Sequence, residues 1–136
     1  MKILNLTQHT ATAEQVEAGV QDMLAASLSG LKDALTFDAA PSAAEITERA
    51  EYIAELAAMY DLSQSDDDGG CEQYPSSAMI GGALWLMAPL ARELRARGIT
   101  PMFAFTKRDV VESHGPDGAV TKTAVFRHTG FVEAIM

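Results

Sequence analysis

Apolar residues recur along this chain at two different spacings, which indicates short strands that alternate with helices. Residues 2–7 are apolar and rich in β-favouring side chains, so they predict a first strand. A helix capped by Thr10 or Thr12 follows and extends to about Val20, since acidic and amide side chains occupy its first turn. A second short apolar segment, residues 34–37, predicts another strand.

The clearest helix signal lies shortly after that segment. Ser42 and Glu45 have the spacing of a capping box. Apolar residues follow at helical spacing: Ile46, Ala50, Ile53, Leu56 and Ala57. The pattern therefore predicts an amphipathic helix that begins after Ser42.

A third unit of strand, turn and helix follows in the second half of the chain. Residues 78–80 predict a buried strand, Gly81 and Gly82 a turn, and residues 83–97 an apolar-faced helix that ends at a glycine and is kinked by an internal proline. The large side chains at 84–87 are more typical of a core than of a ligand surface. Strand, glycine turn and helix N-terminus together are an arrangement in which backbone N–H groups can face a phosphate.

The last third of the chain contains strand signals only. Residues 102–105 predict a strand that ends in the polar residues 106–108, and residues 110–112 and 123–126 predict a hairpin. The order β-α-β-α-β-α-β-β-β indicates a mostly parallel sheet flanked by helices, with an antiparallel hairpin at its C-terminal edge. We therefore expect one domain over residues 1–136, with a three-layer, Rossmann-like α/β fold and helices on both faces of the sheet.

Composition agrees with a single globular domain. The chain has 136 residues, of which 48% are hydrophobic, and this is enough to bury a core without disulfides. No apolar run is long enough to span a membrane, and the N-terminus turns polar too early for a signal peptide. The single cysteine, Cys71, fits a reducing compartment. The expected location is the cytoplasm.

The charge is distributed unevenly and narrows the class of partner. The net charge of −9 argues against binding to long nucleic acids. Residues 1–91 contain 3 basic and 14 acidic side chains, whereas residues 92–136 contain 7 basic and 5 acidic ones, so an anionic ligand would meet the C-terminal third first. Solvated acidic helices are the alternative explanation of this distribution. Residues 63–73 predict a flexible acidic loop whose adjacent aspartates lack the alternating spacing of a calcium site, so we expect no metal site and no cofactor.

Polar groups follow three of the predicted strands. They are Thr7, Gln8, His9 and Thr10 after the first strand, Gly81 and Gly82 after the third, and Thr106, Lys107 and Arg108 after the fourth. In open α/β sheets, ligands bind beyond the carboxyl ends of the strands. Hydroxyls, an amide, an imidazole, bare backbone and two cations suit a phosphate-bearing ligand. The glycine fingerprint of dinucleotide sites and the lysine of P-loops are both absent.

Three segments resemble small single-domain CRISPR-associated proteins of the CARF-like kind, a group that includes ring nucleases. They are "NLTQHTAT" at the start, "AMIGGA" before the amphipathic helix, and "FAFTKRDVVES…DGAVTKTAVFRHTGFVEA" at the end. The resemblance implies that the chain binds a cyclic oligoadenylate messenger, most often the ring of four adenosines, as a homodimer. It also implies cleavage without a metal, by attack of a ribose 2′-hydroxyl on the neighbouring phosphodiester, which switches off type III CRISPR signalling.

The same resemblance implies roles for individual residues. His9, Lys107 and Arg108 are the expected catalytic residues, with His9 transferring a proton and the two cations stabilising charge on the phosphate. The expected ligand-binding residues are Thr7, Gln8, Thr10, Gly81, Gly82, Thr106 and Glu112, while Arg127 and His128 support the hairpin. The alternative roles are a helix cap for His9 and an ion pair with Glu112 for Arg108. A sensor or sponge that binds the ring without cutting it, or an unrelated protein of the same fold, stays open as an alternative function.

Overall fold

A single sheet organises the chain in a computed structural model that describes residues 2–64, 73–116 and 118–135. Its strands are β1 (Ile3–Leu6), β2 (Val20–Gln21), β3 (Ser77–Ile80), β4 (Thr100–His114) and β5 (Val120–Glu133). They stand in the order β2-β1-β3-β4-β5, and all neighbours are parallel except the antiparallel pair β4 and β5. The predicted α/β architecture, with a mostly parallel sheet and a C-terminal hairpin, is confirmed.

Helices flank this sheet unequally. They are α1 (Ala13–Glu17), α2 (Ala25–Leu35), α3 (Ala43–Met59) and α4 (Leu84–Ala96), with a 3₁₀ turn at Leu62–Gln64. Alternate strand residues point to opposite faces, and the face that presents Leu4, Leu6, Ala78 and Ile80 packs against α2, α3 and α4 in the main core. The other face presents a smaller cluster of Ile3, Val20 and Met79, beside Ala11 and the short α1.

Helix starts follow the capping signals closely. The Ser42 hydroxyl accepts a hydrogen bond from the backbone N–H of Glu45 at 3.1 Å, while the Glu45 carboxylate pairs with Arg49 instead of returning to the cap. Thr12 and Gln15 form the complete capping box of α1. At the start of α4 the N-cap residue is Ala83, whose side chain cannot accept a hydrogen bond from the first N–H groups of that helix.

Two predicted elements of the first half of the chain are wrong in their type or length. Residues 34–37 are not a strand, because Ala34 and Leu35 form the last turn of α2, where they are buried with Leu31 at helical spacing. The first helix ends at Glu17 rather than near Val20, since Gly19 turns the chain with a φ of +107° and Val20 enters β2. Of the acidic loop predicted at 63–73, residues 65–72 lie outside the described part of the chain.

Strand β4 is much longer than the strands beside it. It pairs with β3 only over Thr100–Met102 and then continues to His114, paired with β5 alone within the described part of the chain. We call residues 106–114 and 120–128 the hairpin arm. Two cross-strand ion pairs lie on it, Arg127 with Asp109 at 3.2 Å and Lys122 with Glu112 at 3.7 Å. Among the described helices, none is both long and apolar enough to cross a membrane.

Candidate functional site

A cavity of about 420 Å³ opens where β1 and β3 end side by side. The register pairs Leu6 with Ile80, so the segments after these two residues leave the sheet at the same edge. The residues that line the cavity are Thr7, Gln8, His9, Leu35, Met79, Ile80, Gly81, Gly82, Ala83, Phe103 and Ala104. The structure therefore brings together five of the ligand-binding and catalytic residues predicted from the sequence, Thr7, Gln8, His9, Gly81 and Gly82.

The loop after β1 presents an imidazole and an amide at the cavity wall. His9 is exposed, and its ring makes no hydrogen bond to any residue that the structure describes. The side-chain amide of Gln8 donates to the hydroxyl of Thr36 at 3.2 Å, which ties the loop to the end of α2. Thr10 lies apart from the cavity, in a small neighbouring recess that Lys32 also lines. The ring of His9 can thus meet a bound molecule without breaking a described contact.

A buried amide holds this loop from below. The Asn5 side chain is 3% exposed and donates to the backbone oxygen of His9 at 2.8 Å and to the carboxylate of Asp22 at 2.7 Å. Its oxygen accepts from the backbone N–H and the hydroxyl of Thr7 at 2.9 and 2.7 Å. Asp22 also accepts from the N–H of Ala11 at 3.1 Å. The sequence analysis missed both residues, although a polar residue inside the apolar run of β1 was a visible signal.

The glycine turn forms the opposite wall. Gly82 has a φ of +139°, a conformation that side-chain-bearing residues rarely adopt. Gly81 has an ordinary φ, and a Cβ atom there would lie 3.4 Å from a methyl group of Thr7 across the cavity floor. The two glycines thus serve different purposes: one allows the turn, and the other allows close approach of the two loops.

The free energies of unfolding of two alanine variants test this difference. We expect Gly82→Ala to lower the free energy of unfolding by about 1–3 kcal/mol, because alanine at this φ is strained. Gly81→Ala is the matched control, and we expect it to cost less than about 1 kcal/mol because the Thr7 methyl has only to shift slightly. Urea denaturation of the two variants beside the wild type measures both values. Equal losses would mean that the backbone conformation of Gly82 carries no special strain.

A family model matches residues 1–132 of the chain. The chain belongs to the uncharacterized protein MJ1673 family. No curated protein and no solved structure matched it. Every residue that lines the cavity falls within the matched range, so the cavity belongs to the part of the chain that defines this MJ1673 family member.

In this MJ1673 family protein the remaining predicted site residues lie away from the cavity. Thr106, Lys107 and Arg108 were expected in a loop after the fourth strand, and this is wrong: they lie inside β4, because its pairing with β5 continues past them. Lys107 is four residues beyond Phe103, roughly 13 Å farther along the strand. Alternation also sends Lys107 and Arg108 to opposite faces of the arm, so one chain cannot direct both at the same phosphate from this strand.

The supporting residues of the hairpin have partners of their own. Glu112 pairs with Lys122 rather than with Arg108. Arg127 pairs with Asp109. His128 packs edge-on against Phe131 with ring centroids 4.7 Å apart, and its two ring nitrogens are buried without a hydrogen-bond partner among the described residues.

Two other observations bear on the chemistry of the MJ1673 family protein. Within residues 2–64, 73–116 and 118–135, no group of three or more His, Cys, Asp or Glu side chains is placed to hold a metal ion. The aspartates at 66–68 and Cys71 lie outside those ranges. The lining of the cavity contains no lysine or arginine, and Lys32 lines the neighbouring recess.

Proposed function

We propose that this chain is a ring nuclease, which binds a cyclic oligoadenylate in the cavity between β1 and β3 and cuts it. The observation that carries the proposal is the meeting of Thr7, Gln8 and His9 with Gly81 and Gly82 around one cavity. Hydroxyl, amide and backbone groups there can bind ribose and phosphate oxygens, and the uncapped start of α4 adds N–H groups beside the glycine turn. The choice of a cyclic oligoadenylate as the ligand rests on the resemblance of three sequence segments to CARF-like proteins.

The proposed reaction requires the protein to orient the ribose and to assist one proton transfer. The ribose 2′-oxygen forms a bond to phosphorus, the bond from phosphorus to the 5′-oxygen breaks, and a proton moves from the 2′-hydroxyl to the leaving oxygen. The products are linear and end in a 2′,3′-cyclic phosphate. His9 is the residue proposed to transfer the proton, since its ring lies at the cavity and is not engaged elsewhere in the described residues. Thr7 and Gln8 would orient the ribose for in-line attack.

The fold and the cellular location that accompany this function are also proposals. A Rossmann-like, CARF-like arrangement is supported by the parallel strands β2, β1, β3 and β4 and by ligand-suited loops at their carboxyl edge. Helices on both faces make three layers, although α1 is the only helix on the second face that the structure describes. A cytoplasmic location is supported by the single cysteine.

A homodimer is the assembly that would complete the site. The cavity lining contains no cation, whereas the hairpin arm has Lys107 and Arg108 near its base and leaves the sheet at the same carboxyl edge. The arm also exposes Val110, Val111 and Val120, which are 59, 43 and 51% accessible. A two-stranded ribbon with both faces in water is only marginally stable. We therefore assign the arm of a second copy, related by a two-fold axis, to the space over the cavity.

This shared site predicts complementation between inactive variants. His9→Ala and the double variant Lys107→Ala, Arg108→Ala should each be nearly inactive, and mixing them in equal amounts should restore about a quarter of the wild-type rate, because half of the dimers then hold one intact site. Sedimentation velocity on the same samples measures the dimer directly. A monomer, or a mixture no more active than its components, would contradict the exchange of arms.

The proposed activity is tested by incubating purified protein with cyclic oligoadenylates of several ring sizes in EDTA and resolving the products by chromatography. Linear fragments with cyclic phosphate ends are the expected result. A ring that co-elutes with the protein but stays intact would make the chain a sensor or a sponge, which the absence of lysine and arginine from the cavity lining would then explain. If the protein neither cleaves nor binds any of the rings, the proposal that it acts on cyclic oligoadenylates is wrong.

A further inference from the structure

The first turn of α4 exposes an aromatic side chain beside the cavity. The sequence analysis expected residues 84–87 in the core, and Leu86 and Met87 are buried there. Trp85, in contrast, is 51% exposed, and Leu84 is 87% exposed. Trp85 follows Ala83, which lines the cavity, by two residues. Trp85 is thus a half-exposed aromatic side chain close in sequence to a candidate ligand site.

The indole is held in place by a second aromatic ring. Trp85 and Phe37 make an edge-to-face contact with centroids 5.6 Å apart and an interplanar angle of 75°. The guanidinium of Arg49 lies 4.6 Å from the centroid of the Phe37 ring. That guanidinium donates to the backbone oxygens of Asp33, Ala34 and Thr36 at the end of α2 and pairs with Glu45. The exposed indole therefore has a rigid support.

Both rings of the aromatic pair are close in sequence to residues that line the cavity. On one side, Phe37 is two residues from Leu35, which lines the cavity, and its neighbour Thr36 accepts the hydrogen bond from Gln8. On the other side, Trp85 begins the helix that follows Gly82 and Ala83. The segments on both sides of the cavity thus lead to the same pair of rings.

The geometry points to Trp85 as the stacking surface for an adenine base of the bound nucleotide, an inference that rests on the proposed function. Base and indole stack through their flat faces, and such contacts are strong in proteins that bind single-stranded nucleic acids. A ring held by Phe37 and Arg49 loses little freedom when a base covers it. Phosphate and ribose would lie against the loop and the glycine turn, and the base would project onto Trp85. This assigns the recognition of the base to a residue outside the catalytic loop.

Trp85 is the only tryptophan in the chain, so its fluorescence reports on this position alone. The experiment titrates wild type, Trp85→Ala, Trp85→Phe and Leu84→Ala with fluorescently labelled cyclic tetraadenylate and follows anisotropy, while unlabelled ring is used to follow tryptophan emission. We expect quenching in the wild type and a Kd that rises between about 5-fold and about 100-fold in Trp85→Ala. Trp85→Phe should retain most of the affinity, and Leu84→Ala, the neighbouring exposed apolar residue, should bind as the wild type does.

The outcomes separate this inference from the proposed function. If the wild type binds the ring and Trp85→Ala binds it equally well, the stacking surface is wrong and the ring-binding function stands. If Trp85→Ala instead changes only the sedimentation of the dimer, Trp85 belongs to a protein interface, which also overturns the inference. If the wild type binds no ring, the proposed function fails, and adenosine monophosphate then becomes the probe: unchanged Trp85 emission on its addition would overturn the stacking surface as well.

Discussion

Replacing His9 with alanine is expected to lower the rate of ring cleavage by about 10²–10⁴-fold, the usual contribution of a positioned acid or base. The affinity for the ring should change only a few-fold, since Thr7, Gln8 and the glycine turn provide the remaining contacts. The loop should keep its shape, because it is held through the backbone oxygen of His9 and not through the ring. Single-turnover cleavage, measured beside anisotropy of a labelled ring, separates the two effects.

His114→Ala is the matched control, because it removes the same side chain from the far end of β4, seven residues or roughly 23 Å beyond Lys107, the cation proposed to reach the cavity. We expect this variant to cleave as the wild type does. Added imidazole should restore part of the activity of His9→Ala if the lost group is a proton carrier. Cleavage by His9→Ala at the wild-type rate would exclude the catalytic role, and a loss of affinity with unchanged cleavage of the bound ring would make His9 a binding residue.

Sequence reasoning located this part of the site because the signals there are local. His9 follows a short strand with three apolar positions, and Gly81 and Gly82 separate a strand from a helix with clear periodicity. The rule that ligands meet parallel strands at their carboxyl edge then brought the two loops together. The pairing of Leu6 with Ile80 shows that the two strands end side by side, as that rule requires.

The errors in the fold come from segments whose signals were weak or ambiguous. Helix α2 begins after Leu24, which cannot cap it, and contains Gly30, so its last turn was interpreted as a strand of its own. Strand β2 has only two residues and is too short for any alternation to show. In such cases burial against the rest of the fold decides the structure, and a local pattern does not reveal it.

The hairpin arm shows a different limit. A strand with one buried face alternates apolar and polar residues, but both faces of the arm meet water in the single chain, so Lys107 and Arg108 looked like the end of a strand. The register with β5 shows that the pairing continues to His114. Under the proposed dimer, the arm of the second copy brings a cation to the cavity, and the face of the arm that packs there decides whether it is Lys107 or Arg108.

The second large effect is expected from Asn5, which the sequence analysis did not single out. Asn5→Leu replaces the amide by an apolar group of similar size, so packing in the strand is kept while the hydrogen bonds to Thr7, His9 and Asp22 are lost. Buried groups left without partners cost about 1–3 kcal/mol each, and partial access of water to the loop reduces the sum. We expect the free energy of unfolding to fall by about 3 kcal/mol and ring binding to weaken strongly.

Asp22→Asn is the control for this change. Both the Asn5 amide and the Ala11 N–H donate to the same oxygen of Asp22, so an asparagine there can keep both bonds. It loses the charge and the longer contact of the Ala11 N–H with the second oxygen at 3.4 Å. We expect it to cost about 1 kcal/mol and to bind the ring nearly as well as the wild type. Urea denaturation and anisotropy measure the pair of variants. If Asn5→Leu proves no more harmful than Asp22→Asn, the loop owes its position to its own backbone and not to the buried amide.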